Sequence, residues 1–373
     1  MKKLIIFLAA ALTLLSACKK SGEPAEPEPT ATPTMPPIVV ITPTPSPTPT
    51  PEPTPTPSAP YTGPRNPLSG LPIAEELVAA RPMAVMINNR KIAQPQLGVS
   101  KADIIFEVPV EGGITRMLAV FQDASDAGVI GSVRSARPYY VDLAQAFDAV
   151  YIHAGGSPGA YQILASRGIT HLDGVNGKKQ DIFYRDSDRQ KNMGYEHSMV
   201  TTGERIAKYL PTYGFRLEHE AGYAPPLKFE EDYAFAGKEP AGAIKVVFSS
   251  AKSTSLTYDD ASGEYLASQH GGEWKDGNDG ARVAFANALV LKTAINVIKG
   301  DSEGRLTVNL TGDGDGYLAI GGTYAPIKWS KAGAAEPFVF TDAAGAEITL
   351  RAGHTYVAII SNSASVEFSE AAR

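Results

Sequence analysis

Cys18 is the single cysteine in a chain of 373 residues, so no internal disulfide can form. Whatever folds must be held by its cores alone. The six histidines are scattered, with no H-E-x-x-H or similar paired spacing, so no metal site is expected and no cofactor is implied. An excess of basic charge is also missing. The net charge of −6 gives no reason to expect a nucleic-acid partner. Long apolar runs are absent too: the one at residues 4–15 is too short to cross a bilayer as a helix.

That short run is instead the centre of an export signal. Lys2 and Lys3 precede it, and Leu15-Ser16-Ala17-Cys18 closes it in the manner of a bacterial lipobox. Residues 1–18 are therefore expected to be a lipoprotein signal peptide, cleaved before Cys18, with lipid carried on that cysteine. The chain is then exported and anchored to the outer face of the bacterial cell membrane. Residues 19–64 hold more than half of the 29 prolines, in runs of Pro-Thr and Pro-Ser. Such a stretch favours extended polyproline II and has no core to build, so it reads as a disordered tether.

From residue 65 the composition becomes globular. Residues 65–225 read as an α/β domain with a mixed sheet and helices. Residues 83–88, 104–110 and 115–122 have strand composition, and Pro109 suggests an edge or a bulge. The stretch 128–162 contains two strand-to-helix transitions. Residues 128–133 lead into Arg134-Ser135-Ala136-Arg137-Pro138 and a helix through Leu143 and Phe147. Residues 149–153 lead into Gly155-Gly156-Ser157-Pro158 and a second helix, with Ser157 as its cap. A further helix spans residues 202–209 and stops at Pro211. Beyond residue 226 no strong helix is visible. Short alternating runs punctuated by Gly, Asp and Asn predict a mostly β domain over residues 226–365, a sandwich or open barrel. Within it, Asp313-Gly314-Asp315-Gly316 lacks the distal glutamate of a calcium loop and reads as a hairpin turn.

Ligands of open α/β sheets gather where strands end and helices begin. On that rule Arg134, Arg137, His153, Gly155, Gly156 and Ser157 form the candidate ligand site. Its arginines should lie with His153 at the C-terminal ends of adjacent parallel strands, and their guanidinium forks suit carboxylate or phosphate. Glu107, Glu111 and His153 are the alternative, a catalytic set. The same carboxylates can equally serve as internal partners of Arg116, Arg134 and Arg137. Gly155-Gly156-Ser157-Pro158-Gly159 matches the nucleophile-elbow pattern, but Pro158 has no N–H to give an oxyanion, and Ser157 is the expected helix cap.

The segments Arg81-Pro-Met-Ala-Val-Met-Ile-Asn-Asn89, Glu111-Gly-Gly-Ile-Thr-Arg116, Gly131-Ser-Val-Arg-Ser-Ala-Arg-Pro138 and His153-Ala-Gly-Gly-Ser157 resemble the YerB-like lipoprotein family. The resemblance runs from Asn66 to about Ile360, weaker in the C-terminal part, where Ile327-Lys328-Trp329-Ser330 carries it. It implies a two-domain, lipid-anchored exported protein and brings no catalytic residues with it.

The expected function is an envelope lipoprotein that takes an anionic ligand in its α/β domain, with the membrane and a cell-wall polymer or envelope protein as partners. An envelope hydrolase or transferase is the second reading, a structural assembly factor the third. Cys18→Ala should move the protein from the membrane fraction to the soluble exported fraction. Wild-type protein that is already soluble after export contradicts the anchor.

Overall fold

The computed structural model describes residues 61–177, 181–231, 233, 235 and 237–370. The signal peptide, Cys18 and nearly all of the tether lie outside them. Pro60–Arg373 forms one compact unit.

Among the described residues the N-terminal part supplies eight strands. They are β1 (Met83–Asn88), β2 (Ile104–Pro109), β3 (Thr115–Phe121), β4 (Val129–Gly131), β5 (Val150–His153), β6 (His171–Asp173), β7 (Tyr184–Arg185) and β8 (Met199–Thr202). Its helices are α1 (Glu75–Val78), α2 (Pro138–Gln145), α3 (Pro158–Ser166), α4 (Ser187–Met193) and α5 (Gly203–Tyr209). Pro138 and Pro158 each open a helix, where a missing N–H costs nothing. Ser157 caps α3 as expected, its Oγ accepting the Ala160 N–H at 3.3 Å.

The main sheet runs across both halves of the chain. From one edge its order is residues 239–240, Thr323–Lys331, Gly312–Ile320, Asn287–Thr293, Thr355–Ser361, β2, β3, β1, β5 and β6. The seam is β2, which pairs in parallel with Thr355–Ser361 from Ile104↔Thr355 to Glu107↔Ala358. β1, β5 and β6 run parallel to one another, and β3 is antiparallel to both β1 and β2. A second sheet, built around Ala243–Ser249, Lys252–Asp259 and Glu264–Gln269, comes from the C-terminal part alone.

Strand periodicity sorts the core into two layers. Val85 and Ile87 of β1 point into one, together with Ile244, Val246 and Leu256 of the second sheet. Ala84 and Met86 point into the other, together with Tyr140 and Leu143 of α2 and Leu164 of α3. On one face the second sheet covers the main sheet together with Ile206 of α5, and on the other α2 and α3 pack against it.

The fold class agrees with the expectation of a mixed α/β N-terminal part and a mostly β C-terminal part. Four details differ. The two parts do not fold around separate cores on either side of residue 225, because they share one sheet and both core layers. For the same reason the C-terminal part is neither a free-standing sandwich nor a barrel. Pro109 ends an interior strand instead of marking an edge; β2 has neighbours on both sides, and its last pairing is Pro109↔Thr115. Asp313 to Gly316 lies inside the strand Gly312–Ile320, paired with Ser330 through Ile327, so it is no turn.

Candidate functional site

The first strand-to-helix transition does not enter the main sheet. β4 pairs with β8 in a small separate sheet with β7, so the strand before Arg134 is not a parallel neighbour of β5. The segment after it reaches β5 by another route. Arg134 N–H donates to Met86 O at 2.9 Å, and Ala154 N–H donates to Arg134 O at 3.0 Å. Ala136 N–H donates to Gly155 O at 2.9 Å, and Ser157 N–H donates to Ala136 O at 3.2 Å. Residues 134–136 are zipped against residues 154–157 just beyond the C-terminal ends of the parallel strands β1, β5 and β6, the place where ligand crevices form in such sheets.

An open cleft of about 370 Å³ lies here, lined by Arg134, Ser135, Gly155, Gly156, Tyr161, Asn176, Arg185, Tyr195 and Glu196 among others. Gly155 takes φ +75°, which a side chain would resist, and so lets the backbone fold back under the cleft.

Of the expected ligand residues, Arg134, Gly155 and Gly156 line this cleft. Arg134 Nη1 donates to Glu196 O at 2.8 Å, and Nη2 lies 3.5 Å from Glu196 Oε2. Its Nε is buried with no acceptor among the described residues. Burial, the largest influence, lowers the Arg134 pKa, and Glu196 opposes the shift.

Arg137 is turned away from the cleft. It is buried, its Nε 3.0 Å from Glu111 Oε2, its Nη2 on Glu111 Oε1 and its Nη1 on Ala136 O. Arg116 joins the same carboxylate at 3.2 Å and donates to Ser135 O at 2.8 Å. Burial and the neighbouring Arg137 bring the Arg116 pKa down to about 10. Glu111 is therefore an internal counter-ion for two arginines. Arg90 and Arg134 share Glu196 in the same way. Four guanidiniums thus share two carboxylates, Glu111 and Glu196.

His153 is completely buried and does not face the cleft. Its Nδ1 lies 2.8 Å from Gly155 O, so that nitrogen carries the proton and donates. Nε2 then accepts from His171 Nδ1 at 2.9 Å. Burial above all holds the His153 pKa down to about 4, so the ring is neutral at physiological pH. It braces the Gly155 turn. Ser157, buried and engaged as the α3 cap, has the same supporting role.

Glu107 lies elsewhere, fully buried, with no opening to the cleft. Its Oε1 accepts from Thr115 Oγ1 at 2.6 Å and Asn89 Nδ2 at 2.9 Å, and lies 3.0 Å from Lys252 Nζ. Its Oε2 accepts from Tyr356 OH at 2.7 Å and Thr254 Oγ1 at 2.8 Å. Burial, the largest influence, would raise the pKa of Glu107; Lys252 and the three hydroxyls outweigh it and hold the group below the usual carboxylate range. The catalytic set Glu107, Glu111 and His153 is thus dispersed over three separate networks. Among the described residues no three His, Cys, Asp or Glu side chains converge as a metal site requires.

The residue missed by sequence reasoning is Asp173. Its Oδ1 accepts the N–H groups of Gly155 and Val175, each at 2.8 Å, and its Oδ2 accepts Tyr161 OH at 2.7 Å. Burial would raise its pKa, yet these donors hold it below the usual range. Asp173 thereby satisfies the backbone N–H of the glycine turn from within the protein. The Asp173-Gly174 pair, which ends β6, was the available signal, since Asp there bonds backbone two residues on. Tyr161, Asn176, Arg185 and Tyr195 were also unforeseen, as they reach the cleft from four different elements: α3, a turn, β7 and a 3-10 turn.

Two family models match the chain: "Protein of unknown function (DUF3048) N-terminal domain" over residues 68–216 and the DUF3048 C-terminal domain over residues 244–357. "Putative lipoprotein YerB" of Bacillus subtilis is 33% identical over 268 residues, 71% of this chain and 77% of that protein. The crystal structure of YerB from Bacillus subtilis superposes with a TM-score of 0.71 at 29% identity, covering 81% of this chain and 99% of that one.

The neutral, buried His153 fixes the sign of a pH effect. Its folded pKa of about 4 lies below the ordinary value of 6.5, so between these limits the unfolded chain binds more protons. Stability from this group is complete above about pH 6.5 and is lost as pH falls towards 4, by up to about 3 kcal/mol. His153→Asn should show a shallower decline than wild type over that range in urea unfolding. Parallel pH curves for the two proteins contradict the assignment.

Proposed function

The chain belongs to the DUF3048 family, and from that premise we propose that it is a lipid-anchored envelope protein which binds an anionic group in the cleft beside Arg134. The anchor is Cys18, at the end of the lipobox-like Leu15-Ser16-Ala17-Cys18, on the outer face of the cell membrane. The lipoprotein designation of the related YerB supports this. The anion is a substituent of a cell-wall polymer or of an envelope partner.

The observation that carries the reading is Arg134 itself. It is half-buried on the cleft wall and is electrostatically coupled to Arg90 and Arg137. Two carboxylates, Glu111 and Glu196, are shared among four arginines, so an added anion lowers the repulsion among them. An envelope hydrolase or transferase finds less support. It would draw on Glu107 and His153, and both are committed to internal hydrogen bonds away from the cleft.

Inorganic phosphate serves as the test anion. Full-length protein in detergent should bind it by calorimetry, more weakly as ionic strength rises. Arg134→Gln should lower the affinity about tenfold or more, in line with loss of a charge-assisted contact. Absence of phosphate binding, or binding indifferent to Arg134, overturns the proposal.

A further inference from the structure

We infer that the anionic group is carried on a sugar ring, so that the ligand is an acidic glycan unit; this rests on the anion-binding reading above. The cleft combines its charge with apolar surface in an unusual place. Tyr195 is 64% exposed and Val175 is 55% exposed, and both belong to the cleft lining. Large apolar side chains this open, set together at a polar cleft, mark a contact surface.

Tyr195 is also stacked against a cation. The Arg185 guanidinium sits over one face of its ring, 3.7 Å from the centroid, and Arg185 Nη1 bonds the Tyr195 carbonyl. With one face covered by a cation and the residue largely exposed, the other face is left as a flat platform. A pyranose has an apolar face of C–H groups and a rim of hydroxyls. An aromatic platform suits the first. Planar or forked polar groups suit the second, and Arg134, Asn176, Glu196 and Ser135 line the same cleft. The acidic substituent then falls to Arg134.

A peptide fits less well. Extended peptides are held by a free strand edge or by deep apolar pockets. Here the lining comes mainly from connecting segments, residues 133–135, 154–156, 175–176 and 195–196, and the exposed apolar groups Val175 and Tyr195 are side chains of two of them.

The test compares D-glucuronate, D-glucose, acetate and inorganic phosphate as ligands for the full-length protein, by calorimetry or ligand-observed NMR. Glucuronate should bind more tightly than acetate, because the ring adds to the charge. Tyr195→Ala should weaken glucuronate about fivefold or more and leave phosphate unchanged, whereas Tyr195→Phe should retain both. Tyr195 is exposed, so these variants fold, and an unchanged melting temperature verifies it. Glucuronate no tighter than acetate, or glucuronate binding that survives Tyr195→Ala, overturns the sugar inference while Arg134-dependent phosphate binding leaves the anion reading standing. If phosphate and glucuronate both fail to bind wild type, both readings fall.

Discussion

One buried carboxylate constrains the whole molecule. Glu107 sits in β2, the strand where the N-terminal and C-terminal family segments meet in one sheet. Removing a carboxylate from water is costly unless charge and hydrogen bonds compensate. The compensation comes from both segments at once: Asn89 and Thr115 from the first, Lys252, Thr254 and Tyr356 from the second. Neither segment alone can satisfy the group. The network continues through Lys252 Nζ to Gln269 Oε1 at 2.7 Å and through Gln96 Nε2 to Asn89 Oδ1 at 2.9 Å. Two stretches that match separate family models are therefore joined through one buried network.

The same network reaches towards the cleft. Asn89 is held by Glu107, and its neighbour Asn88 holds His197 Nδ1 at 2.8 Å and Ser132 Oγ at 3.3 Å. His197 Nε2 in turn lies 3.0 Å from Glu196 Oε1, the carboxylate shared by Arg90 and Arg134. Buried partners thus set the loop ends, and the loop ends place the charges. Charges with fixed, partly dehydrated positions are what separate a recognition cleft from an ordinary solvated surface.

Local elements were legible because their causes are local. Near-continuous apolar runs mark β1 and β3, and proline with serine marks the start of α3. The cleft's position at the end of β5 followed from the strand-to-helix rule, and Arg134, Gly155 and Gly156 do line it. What escaped was long-range. The pairing of β2 with Thr355–Ser361 joins residues some 250 positions apart, and Tyr356 lies 249 positions from Glu107. No periodicity announces such a partner. The roles of His153 and Arg137 escaped for a related reason: a strand-end histidine and a helix-start arginine look alike in sequence whether they face solvent or an internal acceptor. Here Gly155 O and Glu111 are those acceptors.

A double-mutant cycle on Glu107 and Lys252 tests the account most directly. Lys252→Met leaves a buried carboxylate without its cation and should cost about 3–5 kcal/mol in urea unfolding, as should Glu107→Gln from the other side. Because each loss is largely the penalty for the partner left behind, the double variant should be much more stable than the sum implies, with a coupling of about 2 kcal/mol or more and a single unfolding transition throughout. Additive effects of under about 1 kcal/mol each, or two separate transitions for the two halves in wild type, would contradict a fold joined through Glu107.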